Sequence, residues 1–219
     1  MPRADAAVSA RALDTESTRD TILRTAGQVF LASGYEQSSM DEIALQAGVA
    51  RRTLYNQFSS KKALFDATMT QLWDRMPLDE IVDATTQDGP AEEVLYAVGR
   101  AIADFWSPPE AVAFLRLVIW ESPRFPELGR GMMDNGRSPA RRAVNRYVRR
   151  LGRRRDFRIA DPDLATTQFI DAILGELLLG RLVATSTSTV SEDRCDYLVR
   201  EAVRMFLARY HRAGANAAR

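Results

Sequence analysis

The chain has 219 residues, 46% hydrophobic and 27% charged, a balance that suits a globular protein with one substantial core or two modest ones. Its 30 Lys and Arg against 29 Asp and Glu leave a net charge of +1, so a polyanion would have to be met by a local patch. One histidine, His211, and one cysteine, Cys195, remove most of the side chains on which nucleophilic triads, metal clusters and disulfides are built, and neither an enzymatic reaction, a metal nor a cofactor is expected.

Residues 1–16 mix Ala, Arg, Ser and Asp without periodicity and read as a mobile tail, with a minor-groove arm carrying Arg3 and Arg11 as the alternative. The segment lacks an apolar signal core, and Asp5, Asp14 and Glu16 argue against a transit peptide. From Thr18, Ile22, Ala26, Val29 and Phe30 recur at helical spacing up to Gly34. A second helix starts at Ser39, with Glu42 at capping-box spacing, and turns Ile43, Ala44 and Ala47 inward before Gly48 allows a sharp turn. A third runs from about Ala50 to Phe58 with Leu54 and Phe58 inward. Ser60 caps a fourth, through Leu64, Phe65, Thr68, Leu72 and Met76, which Pro77 ends or kinks.

Beyond the turn at Asp88-Gly89-Pro90 the chain stays helical. One helix carries Val94, Leu95, Val98, Ile102, Phe105 and Trp106 as far as Ser107-Pro108-Pro109; another covers 110–121, and Pro123 and Pro126 then interrupt. Further helices are predicted at about 139–154, 163–184 and 191–212. The fold expected is all-α: a flexible tail at 1–16, a three-helix helix-turn-helix unit at 17–62, a larger helical body at 63–212 and a tail at 213–219. The most apolar stretch, 169–184, carries Asp171, Glu176 and Arg181, too many charges for a membrane span. A cytoplasmic protein without a membrane partner is expected.

The segment from Ser38 to Lys62 carries the chemistry. A small Ala44, a turn at Gly48, and inward Val49 and Leu54 meet the packing demands of a DNA-binding helix-turn-helix. Its second helix leaves Arg51, Arg52, Thr53, Asn56 and Gln57 outward. Arg can bridge guanine O6 and N7, and Asn or Gln can bridge adenine N6 and N7. Tyr55 suits a phosphate. Lys61 and Lys62, the chain's only lysines, fall in the first turn of a helix, where the macrodipole disfavours cations; a docked phosphate would reverse that sign. Ser38 and Ser39 can donate in the same way. The expected partner is double-stranded DNA, with an ordinary solvated helix face as the alternative.

The segment from Thr18 to Met69, with IL-x-x-A-x-x-x-F from Ile22 to Phe30 followed by GYEQSSMDEIALQAGVARRTLYNQFSSKKALF, resembles the N-terminal domain of the TetR family of bacterial transcriptional regulators. Two positions depart from the family pattern. Ala50 stands where a capping Ser or Thr is common, at a cost of about 0.5–2 kcal/mol, and Gln57 replaces a common His. The stretch from Phe114 to Arg130 resembles the subgroup with AefR-type C-terminal domains.

The resemblance implies a body that binds a small-molecule effector and forms a homodimer. The ligand residues it suggests are Phe105, Trp106, Phe114, Trp120, Glu121, Phe169 and Ile173, with Phe125, Met132, Asn145 and Glu176 nearby, for an apolar or aromatic effector; burial as plain core is the alternative for the aromatics. For the dimer surface it suggests Phe169, Ile173, Leu174, Leu177, Leu178, Val199, Val203, Phe206 and Tyr210 on the last two helices, with burial inside one chain as the alternative. Between Arg137 and Arg158 lie ten arginines opposite an apolar stripe. A solvated face accounts for them; extra DNA contact or an acidic-ligand entrance are alternatives. The function expected is a dimeric, ligand-responsive repressor on a pseudo-palindromic operator, or else a helical binding module without an operator.

Overall fold

The computed structural model describes residues 17–84, 89–183 and 189–212. Both expected tails, the Arg3 and Arg11 arm and Asp88 of the predicted turn lie outside them. Eleven α-helices and one π-helical turn make up the described residues, with no strand among them beyond a single bridge between Phe157 and His211. The all-α expectation holds.

Helix α1 (Thr18–Gln37) starts at Ser17, whose hydroxyl accepts from the Asp20 amide at 3.1 Å, and leaves helical geometry at Gly34. Then come α2 (Met40–Gln46), α3 (Arg51–Gln57) and α4 (Lys61–Trp73). Helix α4 stops three residues short of the expected Met76, and Pro77 opens a separate helix α5 (Leu78–Asp83) that was not foreseen. Six residues are too few to declare a helical period.

The body continues with α6 (Ala91–Trp106), α7 (Pro109–Glu121) and α8 (Pro126–Met132). The sequence reading treated Pro126 purely as an interruption, yet it begins a helix, because the first-turn position has no use for its missing amide. A π-helical turn, Met133–Arg137, leads into α9 (Ser138–Leu151). Helices α10 (Pro162–Val183) and α11 (Glu192–Tyr210) complete the chain, the latter capped by Ser191.

Helices α10 and α11 run antiparallel and pack on α6: Arg194 pairs with Glu176 near one end, and Phe206 meets Phe169 edge-on at 5.8 Å nearer the other. This packing corrects the expected dimer surface. Phe169, Ile173, Leu177, Val199, Val203, Phe206 and Tyr210 are all buried inside a single chain. Helix α10 has three faces. Phe169, Ile173 and Leu177 enter this core, while Ile170, Leu174 and Leu178 line a partly open cavity. The third face, with Leu164, Gln168, Asp171, Gly175 and Leu179, is exposed.

The arginine-rich segment is more than a solvated face. Arg146 reaches Asp79 at 2.6 Å and Asp83 at 3.4 Å on α5, Arg149 reaches Asp163 at 2.8 Å, and Arg154 donates to the Gly89 carbonyl at 2.8 Å. Each exposed pair contributes little alone, but together they fix α5, α9 and the start of α10 to one another. Asn145 joins this set through Pro162, Asp163 and Thr166, and Glu176 is held by Arg194, so neither polar group faces a ligand. The buried Arg181 donates to the carbonyls of Trp106 at 2.6 Å and Ser107 at 2.8 Å, fastening α10 to the end of α6.

Candidate nucleic-acid interface and effector cavity

The turn between α2 and α3 is closed by backbone geometry. Gly48 takes φ +67°, its amide donates to the Leu45 carbonyl at 3.2 Å, and the Val49 amide donates to Ala44 at 3.0 Å. That pair of bonds is a Schellman stop, which needs a residue at positive φ and therefore favours glycine. The Ser39 hydroxyl accepts from the Glu42 amide at 3.1 Å, the forward half of the expected capping box, while the Glu42 carboxylate accepts from Gln46. Ala50 gives α3 no side-chain cap.

Leu54, fully buried, and Phe58 anchor α3, and its opposite face is open. Arg51, Arg52, Tyr55 and Asn56 are exposed, with Arg51 resting 2.9 Å from Asp41 of α2. Thr53 is half-buried. Gln57 turns its side-chain oxygen inward, where it is buried without a hydrogen-bond partner. A bidentate contact to adenine needs both ends of the amide, so Gln57 leaves the set of expected base readers in this rotamer.

Two members of the expected phosphate group are also corrected. Lys61 sends its ammonium to the carbonyls of Tyr35 at 2.7 Å, Glu36 at 3.1 Å and Ser38 at 2.8 Å, and stands over the Tyr35 ring. All three of its donors are used inside the chain. The cation that is unfavourable at the start of α4 serves the carbonyl end of α1 instead. Burial pushes its pKa down, and Glu121 and Glu36 oppose that shift. Ser38 is buried and donates to the Tyr35 carbonyl at 2.8 Å. Lys62 is exposed and pairs with Asp66 one turn along α4. Ser39, Tyr55 and Lys62 stay on the surface.

The end of α1 is also where the body takes hold. Glu121, expected to touch a ligand, is buried at the end of α7, and one of its oxygens accepts from the amides of Tyr35 at 2.9 Å and Glu36 at 3.3 Å. Gly34, at φ +80° and ψ 166°, turns the chain so that these amides face the carboxylate; a Cβ there would lie 3.1 Å from it. That backbone region is essentially closed to other residues. Phe114 and Phe125 complete the seam: Phe114 meets Phe65 at 5.3 Å, and Phe125 meets Tyr35 at 5.2 Å. These aromatics join the N-terminal helices to the body.

A partly open cavity of about 150 Å³ lies in the body, among α4 to α6 and α7 to α10. Of the expected ligand residues Trp106 lines it, together with Met132 from the group expected nearby. Phe105 stacks on the outer side of Trp73 at 4.8 Å, Phe169 and Ile173 belong to the core beside α11, and Trp120 is 80% exposed on the surface. Trp73, Met76, Leu115, Arg137, Arg141 and Val144 line it outside the expected set, and Leu174 and Leu178, expected at the dimer surface, line it too. A signal was available in the spacing Ile170, Leu174, Leu178, a second apolar stripe beside Phe169, Ile173, Leu177.

Residues 22–68 match the model for bacterial regulatory proteins of the TetR family, and residues 93–212 match the model for the C-terminal domain of AefR-like transcriptional repressors. The chain is 30% identical over 110 residues to the transcriptional regulator SrpR of Pseudomonas putida; the match covers 50% of this chain and 49% of SrpR, so about half of that relative. Over 69 residues, 32% of each chain, it is 39% identical to the repressor BepR of Brucella suis. Over 64 residues, 29% of each chain, it is 39% identical to the activator FasR of Mycolicibacterium smegmatis. Among solved structures, a TetR-family regulator from Mesorhizobium loti superimposes with TM-score 0.76 at 23% identity, over 89% of this chain and 97% of the other. The flavonoid-responsive regulator FrrA does so with TM-score 0.71 at 28% identity, over 90% and 98%. With an open recognition-type helix on a glycine turn and a family model spanning more than half its length, the chain belongs to the TetR family of transcriptional regulators.

Proposed function

We propose that the protein is a dimeric, ligand-responsive repressor that reads a pseudo-palindromic operator. The observation that carries this reading is α3, anchored by Leu54 and presenting Arg51, Arg52, Tyr55 and Asn56 to solvent. Arg51, Arg52 and Asn56 would read base edges, with Thr53 at the groove margin; Ser39, Tyr55 and Lys62 would meet phosphates. The dimer would form through the outer faces of α10 and α11, where Leu179, Tyr197 and Met205 are exposed and Gly175 and Gly180 leave room for a partner helix to approach. Repression is favoured by the match to an AefR-like repressor domain, and response to a ligand by the cavity in the body and by the likeness to flavonoid-responsive FrrA. Helix α4, which opens the body in the expected division at residue 62, packs along α1 and also against α8 and the π-helical turn.

Selection of bound duplexes from random DNA should yield two half-sites about 34–36 Å apart, or a multiple of that spacing. Arg52→Ala should lose about 1–3 kcal/mol at one base pair and relax preference there. Failure to enrich any sequence would sink the operator reading, and a rise in transcript after loss of the protein should give the sign of regulation.

A further inference from the structure

We propose that the partly open cavity of the body takes a small molecule with an apolar body and an anionic, hydrogen-bond-accepting head, a carboxylate being the simplest. This deepens, and rests on, the reading of the chain as ligand-responsive. The cavity is about 150 Å³, a size that holds a single aromatic ring or an aliphatic chain of similar bulk. Its wall is mostly apolar, with Ile102, Trp106 and Leu115 on one side and Leu174 on another.

The polar groups on the lining are all of one kind. Arg137 and Arg141 are the charged residues there, and no Asp or Glu lines the space. Trp73 also lines the space, and its indole N–H is buried without a hydrogen-bond partner. Indole and guanidinium are donors without acceptor capacity. A hydrocarbon would leave the two guanidinium groups unmatched, a cation would meet two like charges, and an alcohol brings a single oxygen without charge. A carboxylate brings two oxygens and the complementary charge, in the planar geometry a guanidinium fork fits.

Local structure aims these groups. The π-helical turn Met133–Arg137 places Arg137 five positions after Met132, and both line the cavity. From there Arg137, Ala140, Arg141 and Val144 follow at i, i+3, i+4 and i+7, one face of a helix. Arg141 is braced from α10 by the Thr167 hydroxyl and the Asp163 carbonyl. Among the described residues, neither Arg137 nor Arg141 is paired with a carboxylate, whereas Arg146, Arg149 and Arg154 of the same segment are.

The test titrates the full-length protein with benzoate, benzyl alcohol, benzylamine and octanoate, followed by calorimetry and by quenching of Trp73 and Trp106. Both acids, or one of them, should bind about ten-fold more tightly than the alcohol and the amine, the benzoate–octanoate pair telling an aromatic from an aliphatic body. Arg137→Gln with Arg141→Gln should remove that preference and leave the alcohol unchanged. Should the double variant unfold, Arg137→Gln alone, which breaks no brace to α10, carries the same expectation. Equal affinity for alcohol or amine, no binding of either acid at millimolar concentration, or a preference that survives the arginine changes would overturn the proposal. Acid binding that leaves affinity for the selected DNA unaltered would instead remove the ligand-responsive reading, with the charge preference intact.

Discussion

In the N-terminal helices the exposed cations Arg51, Arg52 and Lys62 point away from a small frame, whereas in the body arginines mostly face other helices. Arg146 spans to α5, Arg181 fastens the end of α6, and Arg116 donates to the Leu182 carbonyl at 3.2 Å. Lys61 breaks the pattern on the N-terminal side, because it belongs to the seam between the two regions. A cation's role follows from the acceptors within its reach; a helix position says only which direction it leaves from. The same contrast separates apolar residues. Those of the first four helices lie where periodicity puts them, while those of α10 divide among three destinations.

The largest effect that can break this comparison lies on α11. Phe206→Ala should cost about 3–5 kcal/mol of stability by opening a cavity in the single-chain core, measured by urea denaturation. Met205→Glu, one residue away, should leave the fold intact and turn a dimer into a monomer by light scattering. Reversed outcomes would restore the original surface assignment. Next is Glu121→Ala, which strips a buried and a part-buried amide of their acceptor and should cost about 1–3 kcal/mol; Gly34→Ala should fall in the same range through backbone strain and the close approach to Glu121. A Glu121→Ala protein as stable as the parent would show that the seam is held by the aromatics alone.

Lys61→Met should likewise lower stability by about 1.5–3 kcal/mol, yet at equal folded fraction leave the salt dependence of DNA binding unchanged. Lys62→Met should do the opposite, flattening the salt dependence by the share of one phosphate contact at little cost in stability. A flattened salt dependence in the Lys61 variant would return that residue to the phosphate group. The smallest effect concerns pH. Hydrogen bonds from Arg154 hold Asp156 below its ordinary pKa of 3.8. The stabilisation from this pair is therefore complete above that ordinary value and is lost as pH falls through the lower native one. Thermal melts in acid should show a slope that Arg154→Gln reduces.

The helix-turn-helix was legible because its contacts close over short distances: the Val49 amide finds Ala44, and the Glu42 amide finds Ser39. The missing cap at Ala50 was legible for the same reason. Lys61 was not, since its acceptors lie 23 to 26 residues away on a segment whose course depends on Gly34. Glu121 was harder still, 86 residues from the Tyr35 amide it receives. In the body, spacing identified helices but could not say which neighbour each stripe would meet. Phe105, Phe114 and Trp120 were all plausible cavity residues, and one lies against Trp73, one in the seam and one on the surface. The π-helical turn shifts the phase between α8 and α9, which concealed that Arg137, itself exposed, and Arg141 both contribute to the cavity lining.

The junction of Gly34 with Glu121 also sets a rule for exchanging parts between related regulators. A recognition unit grafted onto another body will keep its bearing only if it arrives with a glycine at the bend and finds a carboxylate opposite. Supplied with both, the graft inherits the spacing dictated by its new body; supplied with one, it is left with either two stranded amides or a stranded charge. Compatibility between a DNA-reading head and an effector-sensing body can thus be judged from two residues far apart in the chain.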